Sequence, residues 1–95
     1  MQLARVVGSV VATRKEESMQ GIKLLVVRPL DEEGRESGNA IVSADAVGAG
    51  PGEIVLIAAG SSARQTLLTD KKPVDSVILA IVDSWYVGDA EKYKK

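Results

Sequence analysis

Residues 2–13 alternate along the chain. Ala4, Val6, Gly8, Val10 and Ala12 fall on one face, as the two-residue period of a strand requires. The other face mixes Leu3, Val7 and Val11 with Arg5, Ser9 and Thr13, too apolar a set for a simply solvated surface. A charged loop, residues 14–20, leads to a second strand over residues 22–30, with Ile22, Leu24 and Val26 expected inward. Pro29 confines that strand to an edge or an end, because proline donates no ladder hydrogen bond. The polar stretch 31–36, with Gly34, reads as a hairpin turn. A third strand is expected over about residues 38–44.

The second half alternates less. A fourth strand, residues 53–59, and a fifth, residues 77–82 and on toward Val87, are apolar on both faces. Between them Ser62 precedes Gln65 by three positions, the spacing of a capping box, and predicts a short helix over residues 63–68. Residues 71–73 form a loop. The polar tail from Gly88 is expected to fray or to add a last helical turn. Five strands with one short helix between the fourth and fifth predict a mainly β fold, a small closed or partly closed barrel. One face of such a sheet ordinarily meets water. Strands four and five have no polar face, and the chain holds no spare element large enough to cover them. An oligomer is expected.

Composition narrows the function. At 95 residues the chain is one domain, residues 1–95. It has no cysteine, so no disulfide or thiolate site, and no histidine, the commonest general base and metal ligand. Trp85, Tyr86 and Tyr93 are the only aromatics, so the core is built of Val, Ile, Leu and Ala. Association would add buried apolar area at about 25 cal/mol per Å². Lys and Arg number 12 against 13 acidic residues, a balance that speaks against a nucleic-acid binder. No apolar run approaches the roughly 18 residues of a membrane span. The start of the chain lacks the pattern of a signal peptide. A cytoplasmic location and no membrane partner are expected.

Two glycine-rich loops flank the fourth strand. Gly48, Gly50 and Gly52 precede it and Gly60 follows it, with Ser61, Ser62 and Arg64 next in line. A dinucleotide fingerprint needs G-x-G-x-x-G opening a helix. Here the spacing is G-x-G-x-G and a strand follows. A phosphate loop needs Gly-Lys-Ser/Thr, and this loop offers Gly52, Glu53 and Ile54, a carboxylate where phosphate would sit. Catalysis fares no better. Ser61, Ser62 and Thr66 are hydroxyl candidates, but Lys71 or Lys72 would have to act as base from a polar loop. No catalytic residue, cofactor or metal is expected.

The ordered pieces resemble a family, the vertex proteins of bacterial microcompartment shells of the EutN/CcmL type. The similar stretches are Gly8 to Lys15, Gly21 to Val27, Asp45 to Gly50, Gly52 to Val55, Gly60 to Arg64, Pro73 to Asp75, and the apolar strand ending at Asp83. The resemblance implies an OB-like five-stranded barrel that assembles as a ring of five. It implies a structural role, closing the corners of a polyhedral shell otherwise tiled by hexagonal shell proteins. Ser43 departs from the aliphatic stretch expected before Asp45, and Trp85 with Tyr86 is a bulky pair where members vary.

The site expected from this reading is a subunit interface made of Asp45, Gly48, Gly50, Gly60, Ser61, Ser62 and Arg64. The two loops lie at opposite ends of one strand, so a neighbouring subunit is expected to bring them together near the ring axis. Arg64, read at a helix start where the dipole disfavours a cation, is expected to seek a partner such as Asp45 or a carbonyl of the next subunit. Asp45 is equally suited to accept N–H groups of its own turn. Glu53 and the lysine-rich tail read as solvated charges. The rival reading is an OB-type single-stranded nucleic-acid-binding module. Such modules stack bases on strand aromatics, and residues 22–44 contain none.

Overall fold

The N-terminal alternation forms β1 (Gln2–Val10) in the computed structural model, which describes the whole chain, Met1–Lys95. β2 (Leu24–Pro29), β3 (Ile41–Asp45), β4 (Ile54–Ala59) and β5 (Ser76–Ile81) follow. These five strands close a barrel in the order β1-β2-β3-β5-β4. All its neighbours are antiparallel except β3 and β5. β6 (Ser84–Val87) and β7 (Ala90–Lys94) make a separate two-stranded sheet. No helix is long and apolar enough to cross a membrane.

The barrel interior is small and aliphatic, as the composition required. Ala4, Val6, Leu25, Val27, Val55, Ile57 and Ile78 fill it, with Ala49 from the glycine loop. Ser43, the departure in β3, is fully buried, and its Oγ shares a 2.8 Å hydrogen bond with Ser76 Oγ on β5. A lone hydroxyl there would cost free energy; the pair satisfies itself.

Two inward faces differ from expectation. The register of β1 against β2 shifts between Val6 and Gly8, a bulge that leaves Val7 half exposed. Paired residues share a face, so beyond the bulge Gly8 joins Val26 and Val10 joins Leu24. The even-numbered face therefore points inward only as far as Val6. In β2 the core residues are Leu25 and Val27, not Leu24 and Val26. Ile22 is buried, but in a second cluster outside the barrel. Apart from Lys23, residues 22–27 are apolar throughout, so alternation alone could not set the register; the bulge and the pairing did.

That second cluster corrects another expectation. Ile22, Ala44, Ala58, Ala63, Val74 and Val77 pack together on the outer side. The segment after β4 thus covers part of the outer face of β4 and β5. Leu56, Leu79 and Ala80 stay only partly covered. The predicted helix over residues 63–68 does not form. A 3-10 helix spans Gly60–Arg64 instead, with no side-chain cap. Ser62 contributes its carbonyl to the Gln65 N–H rather than its hydroxyl to a cap. Thr66 then interrupts: its Oγ1 accepts from Thr69 N at 3.0 Å and shares a 2.6 Å bond with Thr69 Oγ1. Local side-chain bonds of this kind compete with helix. A further 3-10 turn, Glu17–Met19, lies in the charged loop.

The tail neither frays nor turns helical. Gly88 at φ +60° and Asp89 make the two-residue turn between Val87 and Ala90. Gly-Asp between two apolar-containing runs was a hairpin signal in the sequence. Trp85 and Tyr93 stack across the hairpin with ring centroids 5.3 Å apart.

Candidate functional site

The glycine loop closes one end of the barrel, and Asp45 builds it. This buried carboxylate accepts from Val47 N and Gly48 N through Oδ1, both at 3.0 Å, and from Ala49 N through Oδ2 at 2.9 Å. Gly48 takes φ +76°, which a side chain would resist. The turn delivers the Ala49 methyl into the core as a plug. Asp45 therefore serves its own loop, and both its oxygens are engaged there. Glu53, read from the sequence as solvated, is a second hub. Its Oε1 accepts from Gly50 N at 2.6 Å, and its Oε2 meets Lys95 Nζ at 2.5 Å.

The second loop lies at the other end of β4. Gly60 N donates to Asp75 C=O at 2.8 Å, which pins the start of the 3-10 helix. Ser61, Ser62 and Arg64 are exposed. Arg64 stands in the last turn of that helix rather than at a start, so the dipole favours its charge. Its Nη1 donates to Val74 C=O of the same chain at 3.0 Å. Arg64 also lines an open depression of about 660 Å³ with Glu16, Ser18, Lys71, Lys72 and Pro73. Within one chain, then, the structure does not join the two loops, and Arg64 does not reach Asp45.

Each loop carries one large exposed apolar side chain. Val47 rides on the glycine loop at 39% exposure. Leu67 follows the 3-10 helix and is fully exposed; its neighbour Thr66 helps line a smaller hollow of about 300 Å³ with Met1, Ala58, Ala59 and Leu79 among others. The sequence reading passed over both residues. No group of three acidic side chains lies close enough to hold a metal ion.

The C-terminal hairpin folds back to two loops of the barrel, the 31–34 turn and the glycine loop. Trp85 Nε1 donates to Glu32 C=O at 2.9 Å, Lys92 pairs with Glu33 at 2.9 Å, and Lys95 pairs with Glu53. The Trp85 ring lies against Gly34, where an added Cβ would sit 3.6 Å from it. The hydrogen bond from Lys95, then that from Gly50 N, hold the Glu53 carboxyl below its ordinary value; the bond to Glu53 raises Lys95. A depressed carboxylate contributes above its unfolded pKa and loses its contribution as pH falls through the folded value. A raised lysine contributes below its unfolded pKa and loses its contribution as pH rises through the folded value. The attachment at Glu53 is therefore expected to hold across neutral pH and to loosen below about pH 4.5. Trp85 fluorescence followed down an acid titration checks this, with Glu53→Gln abolishing the Glu53 part of the transition.

Comparison with known proteins places this architecture. Residues 1–83 match the family described as ethanolamine utilisation protein EutN/carboxysome. The carboxysome shell vertex protein CcmL of Nostoc sp. is 47% identical over 96 residues, covering 100% of this chain and 95% of that protein. The shell vertex protein GrpN of Rhodospirillum rubrum is 48% identical over 84 residues, 88% of this chain and 94% of GrpN. The solved Nostoc CcmL structure superposes with a TM-score of 0.94 over 100% of both chains. The Rhodospirillum rubrum GrpN structure, described as a pentameric microcompartment shell protein, superposes with a TM-score of 0.84 at 45% identity, covering 92% of this chain and 99% of that one. An OB-like barrel of this topology, matched along nearly its whole length, makes this chain a member of the EutN/CcmL family.

Proposed function

We propose that this chain is a structural subunit of a bacterial microcompartment shell, and that five copies close into a ring that caps a vertex. The end-to-end match to CcmL carries the reading, and the pentameric GrpN supports the count of five. The subunits act as non-catalytic building blocks, with hexagonal shell proteins as neighbours. A single-stranded nucleic-acid module would need a stacking platform, and β2 and β3 carry no aromatic.

Ring closure follows from a heterologous contact, one surface of each subunit against a different surface of the next. The two ends of β4 supply such a pair. Asp45, Gly48 and Gly50 present the glycine loop with Val47. Gly60, Ser61, Ser62 and Arg64 present the opposite end with Leu67. Each loop of one subunit meets the other loop of its neighbour, because the strand between them keeps them apart within a chain. Arg64 holds its own Val74 carbonyl and turns its remaining guanidinium donors to the adjacent subunit. Native mass spectrometry tests the assembly. A species of five 10.0 kDa chains is the expected result. A monomer at micromolar concentration overturns the reading.

A further inference from the structure

The largest hollow of the chain is the open depression of about 660 Å³ beside the Gly60–Arg64 helix, and Pro73 is its only uncharged wall besides Ser18. Its charged rim sets Arg64, Lys71 and Lys72 against Glu16, a surplus of two positive charges (three minus one). Glu16 is already engaged. Its Oε2 accepts from Ser18 N at 2.9 Å and from the Ser18 hydroxyl. Those two bonds, the hydroxyl's first, hold its carboxyl below the ordinary value, and the Lys72 charge adds less. None of the chain's four ion pairs involves Arg64, Lys71 or Lys72. Cations gathered round a concavity focus a positive field into it.

The backbone points to the same place. Lys71 stands at φ +59°, the only residue other than glycine at positive φ. A Cβ makes that conformation costly, and glycine would take it freely. The turn around it is fixed. Asp70 N donates to Thr66 C=O at 2.9 Å, Lys72 N to Thr69 C=O at 3.0 Å and Val74 N to Lys72 C=O at 2.8 Å. Strain held in this way gathers where a side chain has a use. What lysine brings to position 71, and glycine would not, is an ammonium group at the depression. In the seam proposed above, the facing glycine loop brings no free carboxylate. Asp45 holds three N–H groups of its own turn, and Glu53 holds Gly50 N and Lys95.

We infer that the depression binds a small phosphate-bearing anion, held by Lys71 and Lys72 in the field of Arg64. Arg64 keeps its bond to Val74 C=O and adds charge rather than a contact. A phosphate monoester carries about −1.5 to −2 charges at neutral pH, which matches the surplus, whereas one carboxylate leaves half of it standing. The walls offer charge and a hydroxyl but no aliphatic or aromatic side chain, so the rest of the ligand is small and polar. The rim is open to water, so binding is weak, in the millimolar range, and sensitive to salt. The depression is complete within one chain, so the inference does not depend on the ring.

The test titrates the isotope-labelled full chain with glycerol 3-phosphate at fixed ionic strength and follows its backbone amides by NMR. Acetate is titrated in parallel. Saturable shifts at residues 16–18 and 70–72 are expected with the ester, and acetate should bind at least about threefold more weakly. Lys71→Gly with Lys72→Gln should weaken the ester about tenfold. The same variant should melt no lower than the parent, because glycine relieves the backbone at position 71. If it does not fold, Lys72→Gln alone carries the test, with about a threefold loss expected. Shifts that grow without saturating, or that Lys92 and Lys94 share, mean an adventitious ion only and overturn the inference. Acetate as tight as the ester overturns it too, as does a variant that binds like the parent. Oligothymidylate that displaces the ester at micromolar concentration overturns it in favour of a nucleic-acid strand.

Discussion

Asp45→Ala is expected to lower the thermal midpoint by about 12 °C or more. Three N–H groups, of Val47, Gly48 and Ala49, converge on this one buried carboxylate. Bonds to a charged acceptor contribute roughly 1.5–3 kcal/mol each, though not additively. Alanine also releases the turn that carries Ala49 into the barrel. A total loss of about 3–5 kcal/mol is set against an overall stability of about 5–15 kcal/mol. For a domain this size each kcal/mol moves the midpoint by about 4–8 °C. Asp45→Asn keeps one acceptor oxygen and should lose clearly less. Scanning calorimetry of the three proteins checks the order. Equal midpoints for Asp45→Ala and the parent would mean that the loop holds without its anchor.

Leu67→Asp is expected to dissolve the ring while leaving the single chain as stable as before. In the monomer Leu67 touches nothing that protects it from water, so the substitution costs little there. In a ring that seats Leu67 against the neighbour's glycine loop, the same change removes about 1.5–3 kcal/mol of apolar burial at each contact. It also strands an unpaired charge beside Val47, at a further cost. Every subunit carries the defect, so every seam of the ring weakens together. Light scattering coupled to size exclusion reads the mass, and circular dichroism melting in dilute solution reads the chain. A ring of unchanged mass would place Leu67 on an open surface and move the seam elsewhere.

The sequence revealed the parts of this molecule that follow from local pattern. The five barrel strands were legible because aliphatic runs separated by glycine and charged loops leave few alternatives. The inward face of β2 was not, because apolar residues on both faces carry no phase and the Val7 bulge lies in the pairing, not in composition. The helix between β4 and β5 was misplaced for a different reason. Ser62 and Gln65 had cap spacing, but Gly60 began the turn earlier and the Thr66 hydroxyl ended it.

Asp45 as a turn anchor was legible only as one of two equal readings, because an aspartate before a glycine loop suits a subunit contact as well as its own turn. Glu53 and Lys95 were not legible: their partnership spans the chain and depends on the hairpin folding back to the glycine loop. The hairpin itself had a signal in Gly88 and Asp89 that was outweighed by the polar run after it. Membership of the family was legible in the ordered glycine and serine motifs. The contact between subunits stays a matter of shape, because Val47 and Leu67 acquire meaning only when two chains are set side by side.

Imaging of assembled shells by electron cryomicroscopy tests the vertex role most directly. Shells are built from the hexagonal proteins of the same bacterium with and without this chain. With it, the account predicts closed corners, each filled by five-fold density into which five copies of the barrel fit. Without it, the corners should be open or the shells misshapen. Corners that close equally well in its absence, or density lacking five-fold symmetry, would contradict the account.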